Sequence, residues 1–130
     1  MSEEFKVEIV NPEKSFLAKD DVLEAVVPAF EGEMGILKDH ISIISFLKPG
    51  IIKVITKSAE EKFYVEDGIL EFKDNTLSIL TSAIMDLKNI DKSILSENLK
   101  NAENDLKNTE INDQNRFLTS QKIEVLKSIN

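Results

Sequence analysis

All four glycines and all three prolines of this 130-residue chain lie at or before Gly68, and that one-sidedness constrains the fold more than any motif. Before Gly68, short apolar runs alternate with turn residues; beyond Leu87 neither breaker occurs. "FKVEIV" (5–10) sets Phe5, Val7 and Ile9 against Lys6 and Glu8, the period-2 signature of a half-buried strand. "NPEKS" interrupts it, with Pro12 suited to a turn. "DDVLEAVVPAF" (20–30) leads into the glycine-bearing loop "EGEMG" (31–35). "HISIISFL" (40–47) is a β-branched run, and "IIKVITK" (51–57) resumes the pattern after Pro49-Gly50, which predicts a hairpin. Asp67-Gly68 is a second signal of that kind, and "KDN" (73–75) separates the next run from "TLSILTSAIM" (76–85). Short strands punctuated roughly every ten residues predict a β-sandwich or barrel over residues 1–87.

From residue 88 to 130 the period changes. Leu95, Leu99, Ala102 and Leu106 are spaced as one helical stripe, and Glu103 with Lys107 adds a favourable i,i+4 pair. "NTEIND" interrupts, with Asn112 or Asp113 as candidate N-cap. A second stripe runs through Phe117, Leu118, Val125 and Ile129, widened by Ile123 and Leu126. Two helices of about four turns and a short polar link predict an antiparallel α-helical hairpin after the sandwich. Two short helices bury little by themselves, so the hairpin must lean on the β domain or on a partner.

Charge narrows the partner. Through Leu87 there are seventeen Asp and Glu against nine Lys, whereas residues 88–130 carry seven of each sign. An acidic β domain argues against nucleic acid and against direct docking or insertion at an anionic membrane, leaving another protein as the expected partner. The opening residues lack a basic segment followed by an apolar one, so the chain is expected to stay in the compartment where it is made.

Chemistry is sparse. No cysteine and a single histidine exclude disulfides, thiolate nucleophiles and histidine-rich metal sites. Ser45 has no flanking glycines and "EGEMG" lacks the length and the Lys-Ser/Thr of a phosphate loop. The adjacent carboxylates Asp20-Asp21, Glu60-Glu61 and Glu66-Asp67 read as solvated turn residues, since neighbours on a strand point to opposite faces. His40 reads as a structural or interface residue. The chain is therefore not expected to be an enzyme in itself. The glycines flanking Glu33-Met34 predict instead a contact loop that turns one carboxylate and one thioether outward.

The block "EGEMGILKDHISIISFLKPG" (31–50), followed by "DGILEFKDNTLSILTSAI" (67–84), closely resembles the epsilon-subunit family of F-type ATP synthases, to which mitochondrial delta also belongs. The absence of an Arg-rich transit segment favours a bacterial type. The resemblance covers practically the whole chain, strong over 22–87 and architectural in the helices. It implies a non-catalytic central-stalk subunit that binds the gamma subunit, rests on the c-subunit ring and helps couple proton flow to ATP synthesis, on the cytoplasmic face of the bacterial inner membrane. By the same resemblance Glu31, Gly32, Glu33, Met34 and Gly35 meet the c ring, and His40, Ile41 and Ile43 meet gamma. The hairpin restrains ATP hydrolysis in many bacterial members, through contacts with the alpha and beta subunits, and weak or conditional restraint is expected here.

Two departures matter. Lys38-Asp39 stand where the family commonly has Pro-Gly before the histidine. Ile90 and Asp91 match the start of the family's nucleotide-binding motif, Ile/Leu-Asp-x-x-Arg-Ala, but Ile94 and Leu95 replace its Arg and Ala. Triphosphate binding needs fixed positive charge, and Arg116 is the sole arginine, so ATP is not expected as a regulatory ligand and no cofactor is implied. The competing reading is a free-standing β-sandwich module for sugar or peptide. It wants an aromatic binding face, which a chain with no Trp and one Tyr is poorly placed to build.

Overall fold

The structure, a computed structural model, describes residues 3–108 and 110–129. In chain order come β1 (Phe5–Asn11), β2 (Lys14–Val22), β3 (Glu24–Ala29), β4 (Gly32–Ile36), β5 (Ile43–Leu47), β6 (Gly50–Ile55), β7 (Glu60–Val65), β8 (Gly68–Lys73), β9 (Thr76–Leu80) and β10 (Ile84–Asp86). A 3-10 turn at Leu87–Asn89 leads to α1 (Lys92–Leu106) and α2 (Asp113–Ile129). The expected order, a β-sandwich followed by an antiparallel helical hairpin, is what forms.

Hydrogen bonding runs along one path, β10-β7-β6-β3-β5-β8-β9-β1-β2, with β4 attached to β3. The path turns a corner at β3. Residues Glu24–Val26 pair with β6, but toward β5 only Ala29 pairs, with Leu47. Two further bonds secure the corner: Phe30 N–H donates to Phe46 O at 2.8 Å and Lys48 N–H to Pro28 O at 3.0 Å. Inward residues of both layers, among them Val7, Ile9, Val27, Ile52, Val65 and Leu70, share one core. Phe5 and Phe16 add edge-on contacts to Phe72 and Phe63 at 5.7 and 5.6 Å.

Neither of the two expected glycine hairpins is one. β5 pairs with β3 and β8, and β6 with β3 and β7, so Lys48-Pro49 carries the chain between layers. β7 and β8 likewise do not pair; Glu66-Asp67 is a second crossing. Turn chemistry specifies a bend, not the strand that receives it. A Cβ on Gly50 would overlap the Pro28 ring, and one on Gly68, whose φ is +148°, would lie 2.5 Å from Leu80 O. The hairpins that do form include β3–β4, closed by Phe30-Glu31, and β8–β9, closed by Asp74 and Asn75 at φ 51° and 54°. That pair of positive angles is what a two-residue hairpin turn matched to strand twist requires. β1 pairs with β9 in parallel, a long-range match that no local signal announces. β2 begins at Lys14, inside the segment read as a breaker, and β5 begins only at Ile43, three residues after His40.

Both helices start on side-chain caps. Asp91 accepts from Ser93 N–H at 2.8 Å, and Asn112, rather than Asp113, accepts from Asn115 N–H at 2.8 Å. Arg116 donates to Leu106 O at 3.1 Å and Asn108 O at 3.4 Å, satisfying carbonyls at the end of α1. The hairpin folds onto β6, β7 and β10 through its own small core: Tyr64, Leu95 and Leu126, with Ile51, Met85, Ile90, Leu99 and Val125 at its edge. In α2 the buried residue is Leu126, while Phe117, read as part of the inner stripe, is half in solvent. Lys122 meets Glu66 at 3.0 Å, and the Tyr64 hydroxyl donates to the same carboxylate at 3.3 Å. Burial, with Glu66 beside it, holds the Tyr64 phenol well above the usual tyrosine range.

Gly68→Ala should lower unfolding free energy by about 2–4 kcal/mol, combining backbone strain with overlap at Leu80. Gly32→Ala, equally positive in φ but open around its Cβ, should cost only about 1–2 kcal/mol in the same urea titration. Leu126→Ala should cost about 2–4 kcal/mol and open the hairpin to limited proteolysis, whereas Lys122→Met should cost under about 1 kcal/mol. Because the Tyr64 pKa is raised by folding, its contribution is complete below pH about 10 and declines as pH rises beyond that. Alkaline titration of stability in wild type and Tyr64→Phe isolates this slope: the decline should be shallower in the variant.

Candidate docking surface

The segment expected as an open loop is mostly strand. Phe30 and Glu31 form the tip, and Gly32–Ile36 pair back onto β3. Glu31 is exposed and accepts from Ser45 Oγ at 2.9 Å, which ties the tip to β5. Glu33 projects into solvent as expected, but Met34 turns inward and packs on the main core. Strand alternation forces this: adjacent side chains cannot both point outward. Gly35 leaves room for the Glu24 carboxylate, 3.4 Å from where its Cβ would stand. Phe30, which the sequence reading passed over, is the exposed apolar residue of the tip.

The turn at Lys38-Asp39 forms without glycine, with Asp39 at φ 65°. Its backbone N–H donates to Asn75 Oδ1 at 2.6 Å, and Asn75 Nδ2 donates back to Asp39 Oδ1 at 2.9 Å. His40 packs edge-on against Phe72 at 5.8 Å, with Nδ1 2.7 Å from Ile41 O. Of the three residues expected to meet a partner, Ile41 is 75% exposed, His40 is a half-buried support, and Ile43 faces the core.

Sequence reasoning missed a larger feature. Register places Phe46 opposite Ile69, Ile69 opposite Leu80, and Leu80 opposite Val10. All four belong to the outward set of β5, β8, β9 and β1, making one apolar row across four strands. Phe46 is 62% exposed, Ile69 44% and Leu80 52%. The next row holds Ile44, Glu71, Ser78 and Glu8, so a band with two carboxylates borders the apolar one. Apolar residues on both faces of "IISFL" were the available signal: such a strand expects cover on both sides. At one end of the row, Gln114 and Leu118 of α2 face Phe30 and Phe46 across a cleft of about 380 Å³.

The carboxylates read as solvated turn residues are partly engaged. Glu61 pairs with Lys19 at 2.9 Å, Glu66 holds Lys122, and Asp67 accepts from Ser82 Oγ at 2.8 Å. Asp91 is the cap of α1 and Ile90 packs in the hairpin's core, so the two residues matching the nucleotide motif have structural work in this fold. Arg116 sits at the far end of α1, at its last carbonyls. Among the described residues no cluster of His, Asp and Glu is arranged to hold a metal, and no helix is long and apolar enough to cross a membrane.

Known proteins agree with this architecture. The family described as ATP synthase, Delta/Epsilon chain, beta-sandwich domain matches residues 4–86. An ATP synthase epsilon chain of Pelagibacter ubique is 69% identical over 130 residues, all of both chains. One of Leptospira interrogans is 35% identical over 121 residues, covering 93% of this chain and 92% of that one. Among solved structures, a chain of the Euglena gracilis mitochondrial ATP synthase aligns with TM-score 0.74 at 20% identity, over 98% of this chain and 79% of that one. A chain of the Tetrahymena thermophila central stalk and c-ring aligns with TM-score 0.64 at 15% identity, over 95% and 93%; both show the fold. With the sandwich matched and full-length identity of this degree, the chain belongs to the epsilon-chain family of ATP synthases.

Proposed function

We propose that the chain acts as the non-catalytic epsilon subunit of a bacterial central stalk, clamped to the gamma subunit and seated on the c ring as part of the rotor. The observation that carries the docking assignment is the row Val10–Leu80–Ile69–Phe46. Apolar side chains aligned across four strands and left uncovered by the hairpin suit a permanent protein partner better than solvent. Ile41 and Ile44 extend this surface toward the Asp39 turn, and the band with Glu8 and Glu71 suits basic residues on gamma, fixing orientation more than affinity. The β3–β4 tip supplies the c-ring contact: Phe30 and Glu31 at its end, Glu33 beside them as charge partner for a basic loop residue, with Gly32 and Gly35 keeping the backbone accessible. Met34 supports this tip from inside. The subunit would thereby be held at the cytoplasmic face of the inner membrane through the complex.

Residues 1–87 and 88–130 serve as two functional units in this reading. Among the described residues the hairpin rests on the β unit through the apolar cluster around Tyr64 and the Lys122–Glu66 ion pair, an attachment that can be exchanged for contacts with alpha and beta subunits as a shift between docked states. Regulation by ATP is not part of it: Arg116 is engaged with Leu106 and Asn108, and the charge a triphosphate needs is not supplied by Ile94 or Leu95.

Capture on immobilised gamma subunit from the same organism tests the docking surface. Wild type should form a stoichiometric complex, and Ile69→Lys, at the centre of the row, should reduce capture at least tenfold with its thermal melt preserved. Undiminished capture would remove the assignment. Deleting residues 88–130 should leave gamma binding intact and raise ATP hydrolysis of the reassembled complex modestly; hydrolysis identical to wild type would exclude restraint by the hairpin.

A further inference from the structure

Three non-glycine residues among those described have positive φ, namely Asp39, Asp74 and Asn75, and two of them are bonded to each other. Asp39 sits in the β4–β5 connection and Asn75 in the β8–β9 turn, thirty-six positions apart. Left-handed backbone is unfavourable for a residue with a Cβ, so each turn stores some strain unless neighbours determine it. Here each turn supplies the other's partner. The Asn75 carboxamide places its oxygen on the Asp39 N–H at 2.6 Å and its nitrogen on the Asp39 carboxylate at 2.9 Å, a closed pair of bonds that admits one amide orientation only. Asn75 O in turn accepts from Lys6 N–H at 3.0 Å, which anchors the clasp to β1.

What the clasp holds is mostly outside it. Leu37, 55% exposed, precedes the turn and Ile41 follows it. His40 N–H returns to Leu37 O at 3.1 Å, and its ring lies edge-on to Phe72. Among the contacts that hold the segment between β4 and β5 are this bond, the ring of His40 and the Asp39–Asn75 pair. We infer that Asp39 and Asn75 are a positioning pair that presents Leu37 and Ile41 to the gamma subunit as a pre-formed extension of the apolar row. The inference rests on the docking reading above. A loop ordered before binding loses less conformational freedom on association, so the clasp acts on affinity without touching the partner.

The test uses the full-length chain and reads affinity for purified gamma by titration calorimetry, with thermal melts in parallel. Asn75→Asp removes the donor and sets two carboxylates face to face; it should weaken binding about tenfold. The swap Asp39→Asn with Asn75→Asp restores both bonds with the side-chain donor on the other residue, and should bring affinity back to within about twofold of wild type. Asp39→Gly, which keeps the turn but not the carboxylate, should weaken binding without lowering the melting temperature. Ile41→Glu reports on the surface itself. Wild-type affinity in Asn75→Asp, or failure of the swap to restore it, while Ile41→Glu binds weakly, would overturn the clasp and leave the docking surface standing. Wild-type affinity in Ile41→Glu would overturn this part of the surface and the clasp with it.

Discussion

The corner at β3 is the constraint on which the remaining geometry depends. A single residue pair, Ala29 with Leu47, and two flanking backbone bonds pass the hydrogen-bonded path from one layer to the other. The corner also fixes what lies around it. Because Phe30 is bonded through its N–H to Phe46, the β3–β4 tip emerges beside β5, and Glu31 comes within reach of Ser45. The close approach of Gly50 to Pro28 lets β6 start immediately after the crossing, on the opposite edge from β8. The tip and the apolar row are consequently held in one fixed relation by the same corner.

The hairpin stands in a different relation to the sandwich. Its residues join a separate cluster around Tyr64, on the side of β6, β7 and β10, and leave the main core undisturbed. Internally it is well provided for: each helix has a side-chain cap, and Arg116 links the end of α1 to the first turn of α2. With both N-caps and the last α1 carbonyls satisfied within the hairpin, its remaining need is cover for the apolar stripes, which the cluster around Tyr64 supplies. Glu66 lies at the junction, in one of the two crossings, where it holds both Lys122 of α2 and the Tyr64 hydroxyl.

Much of this was legible residue by residue. The period-2 runs marked most strands, the 3.6-residue stripe marked both helices, and the loss of Gly and Pro marked the passage between them. Asn112 was read as a candidate cap, and it is the one that forms. Partnerships were not legible. Pro49-Gly50 and Asp67-Gly68 looked like hairpin turns because bends between adjacent strands usually are. In this chain both lead across the sandwich, since β5 and β8 had a better long-range match with each other. Met34 and Phe117 were assigned to the wrong side for the same reason: a side chain's face depends on which strand or helix it meets.

The kind of parts could be read along the chain: an acidic, turn-punctuated β unit, a neutral two-helix unit, and a family signature between Glu31 and Ile84. Local periodicity and turn chemistry act over a few residues, so one dimension suffices to read them. It took the folded arrangement to bring Val10, Phe46, Ile69 and Leu80 into one row, to bond Asp39 to Asn75, and to set Arg116 at a helix end. Each of these joins residues whose separation in the chain carries no local signal. Their pairing is settled by the burial of all the other strands together, because a register shift of one residue would turn the whole core outward.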